Sequence, residues 1–180
     1  MGAVTKQPIY WSLMVHEDWK IHIAATEKGL CFVGSQNQSF DELLVWAGKR
    51  MPGSFLIQDD EKLKPFAMEF YGYLKGAQNS FTAPFDLYGT PFQLSVWDAL
   101  GKIPYGETRT YSEIANAIQK PASVRAVGTA IGANPLLVTI PCHRVIGKNG
   151  SLTGYRGGLE MKVQLLNLEK ETSLLSRNLL

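Results

Sequence analysis

The string Ile140-Pro141-Cys142-His143-Arg144-Val145 concentrates the residue types that do chemistry. A thiol is a useful nucleophile only as thiolate, and a neighbouring imidazole or cation lowers its pKa. Cys142 has both beside it, so the sequence predicts a reactive cysteine of depressed pKa. The alternative is a buried core cysteine, the commoner fate of a free thiol. Apolar flanks would suit that fate better than His-Arg. Consecutive strand side chains point to opposite faces, so His143 reaches the sulfur only through a turn or a bridging water. The other candidates are plainer. Cys31 alternates with Phe32 and Val33 and reads as core; His16 and His22 read as strand or surface histidines. Two cysteines are too few for a disulfide scaffold or a four-cysteine zinc site. No metal and no cofactor is expected.

The charge around Cys142 is one-sided. Residues 1–90 carry a formal −2 and residues 91–180 a formal +4, and no acidic residue stands between Glu113 and Glu160. That stretch holds Lys120, Arg125, Arg144, Lys148 and Arg156. Such a surface attracts phosphate backbones, unless it is an ordinary solvated face. With 45% hydrophobic and 19% charged residues in 180, the composition is that of one or two globular domains. No apolar run reaches the roughly 18 residues of a membrane helix. Residues 1–10 lack the basic and apolar segments of a signal peptide, so a cytoplasmic location is the expectation.

The elements that must position these residues fall into two parts, with a boundary expected near residue 88. Residues 21–26 and 30–34 read as a hairpin around Glu27-Lys28-Gly29. Ser39-Phe40-Asp41-Glu42 has the form of a capping box before a helix carrying Leu43, Leu44 and Trp46. Phe66, Phe70 and Leu74 give a second helix over about 63–75, stopped by Gly76, and 76–89 reads as a connection with a short edge strand. Thr90-Pro91-Phe92-Gln93 opens a helix with a cap, a first-turn proline and a capping glutamine. Thr110-Tyr111-Ser112-Glu113 opens the next. Lys120-Pro121 forces a turn, and Ser123 is placed to cap a third helix to about Gly132. Two short helices and a tight turn fit a helix-turn-helix. Gly147-Lys148-Asn149-Gly150 then predicts a wing hairpin between Val145-Ile146 and Ser151-Leu152. Met161, Leu165 and Leu168 mark a last helix, expected to fray after Glu169.

Pro91-Phe92-Gln93, Tyr111, Arg125-Ala126-Val127-Gly128, Asn134-Pro135, the Cys142 string and Gly154-Tyr155-Arg156-Gly157-Gly158 together resemble the O6-alkylguanine-DNA alkyltransferase family. The likeness runs from about Pro91 to Glu169. It implies an α+β fold: a small ribonuclease-H-like domain over 1–88, then a helical winged helix-turn-helix domain over 89–180 that binds DNA and carries the chemistry. In this family Cys142 would accept the alkyl group, His143 would take its proton through a water, and Glu169 would orient the imidazole. Tyr111 would support the leaving guanine and Asn134 brace the acceptor turn. Arg125 would fill the stack left by a flipped nucleotide, with Ala126 lying against the minor groove and Ser112, Lys120 and Lys148 on DNA. Tyr155, Arg156 and Gly157 would line the pocket, where Arg156 stands to crowd the rim against bulky alkyl groups. The implied partner is double-stranded DNA containing O6-alkylguanine, met by a monomer with no membrane or protein partner. Methyl groups of O4-methylthymine are an expected second substrate.

Taken singly, Glu169 also reads as a solvated helix carboxylate, Tyr111 as a helix-packing neighbour and Asn134 as a helix C-cap. Competing functions are a non-enzymatic reader of alkylated bases, which would lack the nucleophile, a cysteine hydrolase, and a winged-helix regulator. The adjacent Cys-His pair is unlike the distant pairs of papain-like hydrolases.

Overall fold

A computed structural model describes residues 6–178. The expected signal-free start and the outer ends of both expected domains therefore lie partly outside the described residues. A sheet covered on both faces builds the first half. Strands β1 (Pro8–His16), β2 (Trp19–Thr26) and β3 (Gly29–Val33) form an antiparallel meander, and β4 (Phe55–Gln58) adds to β1 in parallel, in the order β3-β2-β1-β4. Ile21, Ile23 and Ala25 of β2 face one core while Ala24 faces the other. Helix α1 (Asp41–Arg50) covers the second face, with Leu43 and Ala47 against Ile9, Cys31 and Phe32. Helix α2 (Asp60–Leu74), capped by Asp59, covers the first with Leu63, Phe70 and Tyr73. Strands β1 and β4 were not expected. Both carry apolar, β-leaning runs, Ile9-Tyr10-Trp11 and Leu13-Met14-Val15 in β1 and Phe55-Leu56-Ile57 in β4, and β4 is a short, largely exposed edge.

The second half is helical: α3 (Pro91–Gly101), α4 (Tyr111–Ala117), a 3-10 turn (Pro121–Ser123), α5 (Val124–Gly132) and α6 (Leu159–Asn178). Both expected capping boxes of α3 and α4 form in full. Trp97 on α3 donates its indole N–H to Ala130 O of α5 at 2.8 Å, locking the helix pair. The apolar core runs without a break from Phe70 and Tyr73 to Val96, Trp97, Val127 and Leu165. Among the described residues no helix is long and apolar enough to cross a membrane.

Several local expectations fail for definable reasons. The box at Ser39 does not form: Phe40 takes the cap position and Glu42 turns to Ser35 and Arg156 instead. A charge-assisted bond outweighs a neutral cap. Ser123 makes no side-chain cap, because the 3-10 turn before it already leads into α5. The connection 76–89 contributes one isolated bridge, Leu30 to Phe85, rather than a strand. In place of a wing hairpin, β6 (Val145–Ile146) pairs in parallel with β5 (Arg109–Thr110), and the turn is closed by Gly147 N to Ser151 O at 2.8 Å. Lys162 Nζ occupies the Val145 and Thr153 carbonyls, at 2.6 and 2.9 Å, that a longer hairpin would draw on.

Helix α6 also continues past Glu169 to Asn178. Its later turns are seated on glycines: Thr172 lies against Gly76, and Ser173 against Gly106. Gly106 has φ +79°, and a Cβ there would collide with the Ser173 hydroxyl. Gly106→Ala is therefore expected to lower stability by roughly 1–3 kcal/mol, from backbone strain and displacement of α6. A thermal melt equal to wild type would show that α6 is not seated there.

Candidate active site

The loop after α5 is bent by two tight turns. Thr139 N donates to Leu137 O at 2.8 Å around Val138, which has φ +70°, and Cys142 N donates to Ile140 O at 2.7 Å around Pro141. The first is the strained form of a three-residue turn, and a β-branched residue rarely adopts it. Asn134, fully buried, holds the strain in place. Its amide nitrogen contacts Leu136 O (3.3 Å), Ile140 O (3.0 Å) and Cys142 Sγ (3.1 Å), and its oxygen accepts from Leu136 N (2.9 Å). The chain then enters a single 3-10 turn, Cys142–Arg144. That turn removes the strand objection: Sγ points to Asn134 while the next two side chains point to Glu169.

Glu169 is 1% exposed and fully used. It receives His143 Nε2 at 2.6 Å, the Tyr73 hydroxyl at 2.6 Å, Arg144 Nε and Nη2 at 2.9 Å each, and Gly106 N at 3.1 Å. The carboxylate acceptor assigns the His143 proton to Nε2. Nδ1 is then unprotonated and, though buried, has no protein partner, so it is the atom free to act as base.

Burial would raise the Glu169 carboxyl, but hydrogen bonds from His143 and Arg144, reinforced by their charges, outweigh it and hold it at about 2. Burial likewise pushes His143 down, against the pull of Glu169. Cys142 differs from expectation. Burial pushes its thiol up, opposed only in part by Asn134, Arg156 and Lys162. At 2% exposure the desolvation of a thiolate exceeds what neighbouring charges return, so the resting sulfur is a thiol.

The basic stretch also divides in space. Lys120, Arg125 and Lys148 are exposed, together with Ser112 and Ala126, on α4, α5 and the turns beside them. Arg144 is buried on Glu169 and on Ile103 O (2.6 Å), so it is no phosphate ligand. Arg156 lines a cavity between the two halves, with its guanidinium turned onto Glu42 and backbone carbonyls of Asn134 and Val33. Tyr111 lies over Gly128, its hydroxyl held loosely by the Thr153 carbonyl and hydroxyl at 3.4 Å. Tyr155 buries an unpartnered hydroxyl and packs against Gly157. Cys31 is buried among apolar residues and its thiol is pushed up by burial.

Sequence reasoning missed Tyr73, Lys162 and Glu42. Tyr73 had only its place on the buried face of α2 as a signal. Lys162 had its position beside Met161 on an apolar helix face, where a fully buried lysine needs acceptors such as the carbonyls it finds. Among the described residues no group of three or more His, Cys, Asp or Glu side chains could hold a metal.

The relay sets a pH dependence. Glu169 titrates below its ordinary 4.5 and His143 below its ordinary 6.5, so in both cases the unfolded chain takes up protons first on acidification. The pair's contribution to stability is expected to be fully present above about pH 6.5, to begin falling below it, and to lose on the order of 3 kcal/mol between pH 4.5 and 2. Urea unfolding across this range measures it, and a flat profile below pH 4.5 would refute the charged state assigned to Glu169.

Comparison with known proteins follows the same division of the chain. Residues 9–87 match the family model described as 6-O-methylguanine DNA methyltransferase, ribonuclease-like domain, and residues 91–171 the model described as its DNA binding domain. The chain is 62% identical, over 93% of its length and 94% of the relative's, to the inducible methylated-DNA--protein-cysteine methyltransferase of Bacillus subtilis. It is 40% identical, over 89% and 98%, to the methylated-DNA--protein-cysteine methyltransferase of Methanosarcina acetivorans. It superposes on the crystal structure of Mycobacterium tuberculosis O6-methylguanine methyltransferase with a TM-score of 0.79 at 35% identity, covering 91% and 94%. A structure of the M. tuberculosis protein in complex with DNA gives 0.77 at 36% identity, covering 92% and 94%. Matched along both halves and superposable on a solved relative over nearly its whole length, the chain belongs to the 6-O-methylguanine DNA methyltransferase family.

Proposed function

We propose that this protein repairs DNA by moving the methyl group of O6-methylguanine, and of O4-methylthymine, irreversibly onto Cys142. The observation that carries the reading is the acceptor turn, where a buried sulfur held by Asn134 adjoins a histidine backed by a buried carboxylate. The free His143 Nδ1 takes the thiol proton through a water, and Glu169 stabilises the imidazolium that results. Because burial holds the resting sulfur as thiol, the proton leaves as attack proceeds. The S–C bond forms as the C–O6 bond breaks, and the electron pair departs with guanine. Tyr111, whose hydroxyl is only loosely engaged, donates to that leaving base.

The reactive carbon is hidden in a duplex, so the damaged nucleotide must be extruded. Exposed Arg125, at the start of α5, fills the vacated stack, while Ala126 and Gly128 let the helix backbone approach the minor groove. Ser112, Lys120 and Lys148 flank it on DNA, and Tyr155 and Gly157 wall the pocket. In this reading residues 1–88 support residues 89–180, and the protein acts as a cytoplasmic monomer. A non-enzymatic base reader would have no use for Cys142 and its relay.

The product is a thioether with neither a good leaving group nor an electrophilic carbonyl, so each molecule reacts once. Intact mass is expected to rise by about 14 Da on incubation with a methylated duplex and then remain constant. Cys142→Ala should bind DNA without this gain and Cys31→Ala should react normally; sustained turnover on excess substrate would refute the assignment. For Arg125→Ala, single-turnover transfer should fall most on duplex, less on a mismatched duplex and least on free O6-methylguanine, which needs no flipping. Equal losses on all three would make Arg125 a fold or pocket residue, and a uniform loss of DNA affinity with a shallower salt slope would make it a phosphate contact.

A further inference from the structure

Glu42 and Arg156 take no direct part in the transfer proposed above, yet they close a joint between the two halves directly behind the acceptor turn. Arg156 Nε donates to Asn134 O at 3.1 Å, and Nη2 donates to Val33 O at 2.7 Å and Pro135 O at 3.3 Å. Nη1 donates to Glu42 Oε1, and the guanidinium lies 5.3 Å from the centre of the Phe32 ring. Glu42 is fixed in turn by Ser35, whose backbone N–H and hydroxyl donate to it at 2.8 and 2.7 Å. The end of β3 is tied to the same place, because Val33 N donates to Pro135 O at 2.8 Å.

The position of this joint is informative. An ion pair that only fastened two halves together could sit anywhere along their contact. This one ends on the backbone of Asn134, whose side chain holds Cys142 Sγ, and it begins between Tyr155 and Gly157. A planar guanidinium that fans into three carbonyls and a carboxylate fixes orientation as well as distance. Reacting groups lose rate steeply when their supporting contacts let them drift by about 1 Å.

We propose that Glu42 and Arg156 are positioning residues: their ion pair locks the Asn134-Pro135 turn and the Tyr155 segment onto the end of β3, and through Asn134 it sets where the Cys142 sulfur sits. The first half of the chain thereby acts on transfer without touching substrate. The inference rests on the transfer reading, so its test includes one measurement that needs no substrate.

Single-turnover methyl transfer, followed over a range of DNA concentrations, separates the limiting rate from the half-saturating concentration. Iodoacetamide labelling of Cys142, located by mass spectrometry, reports on the sulfur alone. Glu42→Ala and Arg156→Ala are each expected to lower the limiting rate about 10- to 100-fold, with half-saturation within about 2-fold of wild type. The double variant should be no worse than the poorer single one. Glu42→Gln, which keeps hydrogen-bonding atoms, should recover much of the rate, whereas Arg156→Lys, which lacks the fork, should not. Cys142 labelling should speed up several-fold in the impaired variants as the sulfur is released.

Gly29→Ala serves as control, because its methyl presses on the Pro84 carbonyl at the start of β3, the opposite end of that strand from the joint, and costs stability without touching a joint residue. If the clamp variants lose no more limiting rate than Gly29→Ala at a matched melting temperature, the pair only holds the fold and the proposal is wrong. Should Arg156→Ala fail to fold, Arg156→Lys and Glu42→Gln carry the same comparison. If even the wild type gains no methyl while labelling responds as expected, the transfer reading fails and the positioning of Cys142 by the clamp stands.

Discussion

The carboxylate of Glu169 sits where α2, the turn before β5, the acceptor turn and α6 meet. Removing a carboxylate from water costs several kcal/mol, and only a full set of charged and hydrogen-bonding partners offsets that. Here the partners come from every direction: Tyr73, Gly106, His143 and Arg144. Each reaches Glu169 only if its own element is in place. One buried charge thus couples the packing of the first half, the glycine turn under α6 and the orientation of the imidazole. Arg144 illustrates the exchange well. A residue whose charge would attract phosphate at the surface instead neutralises the carboxylate that His143 depends on.

A second constraint concerns the sulfur. The acceptor must be nucleophilic toward one carbon and inert toward everything else. Burial supplies the inertness, keeping Cys142 as thiol at 2% exposure. In the proposed mechanism reactivity then comes from geometry: the unpartnered Nδ1 of His143, the Asn134 amide at 3.1 Å and a loop held at an unfavourable Val138 conformation. Strain of this kind persists only where surrounding bonds over-determine it. The bonds of Asn134 do so from within the loop, and those of Arg156 do so from behind it.

Charge is separated with similar economy. Within the basic stretch between Glu113 and Glu160, Lys120, Arg125 and Lys148 remain exposed on the helix-turn-helix and the turn after β6, while Arg144 and Arg156 turn inward and are paired with carboxylates. The surface that the proposed function sets against DNA is therefore assembled from short polar and small residues on α4 and α5, backed by Trp97 and the apolar core.

Much of this was legible in the sequence wherever the signal is local. Capping boxes at Thr90 and Thr110 act over three residues and formed as read. The hairpin around Lys28, the face of α2 and the helix-turn-helix are periodicities of a few residues. The Cys-His-Arg string and its family resemblance named Cys142, His143, Asn134 and Glu169, which the fold brings together. What needed the tertiary structure involves partners distant in the chain. The edge strand β4 exists because β1 pairs with it, and the Ser39 box fails because Arg156, 114 residues away from Glu42, claims that carboxylate. The direction of the Cys142 shift also reversed, since neighbours in sequence announce charge but only packing announces burial. Sequence by itself determined which groups are present and which turns of backbone they favour. Tertiary structure decided which are dehydrated and which are paired, because desolvation and long-range hydrogen bonds depend on what lies across space and not on what lies next along the chain.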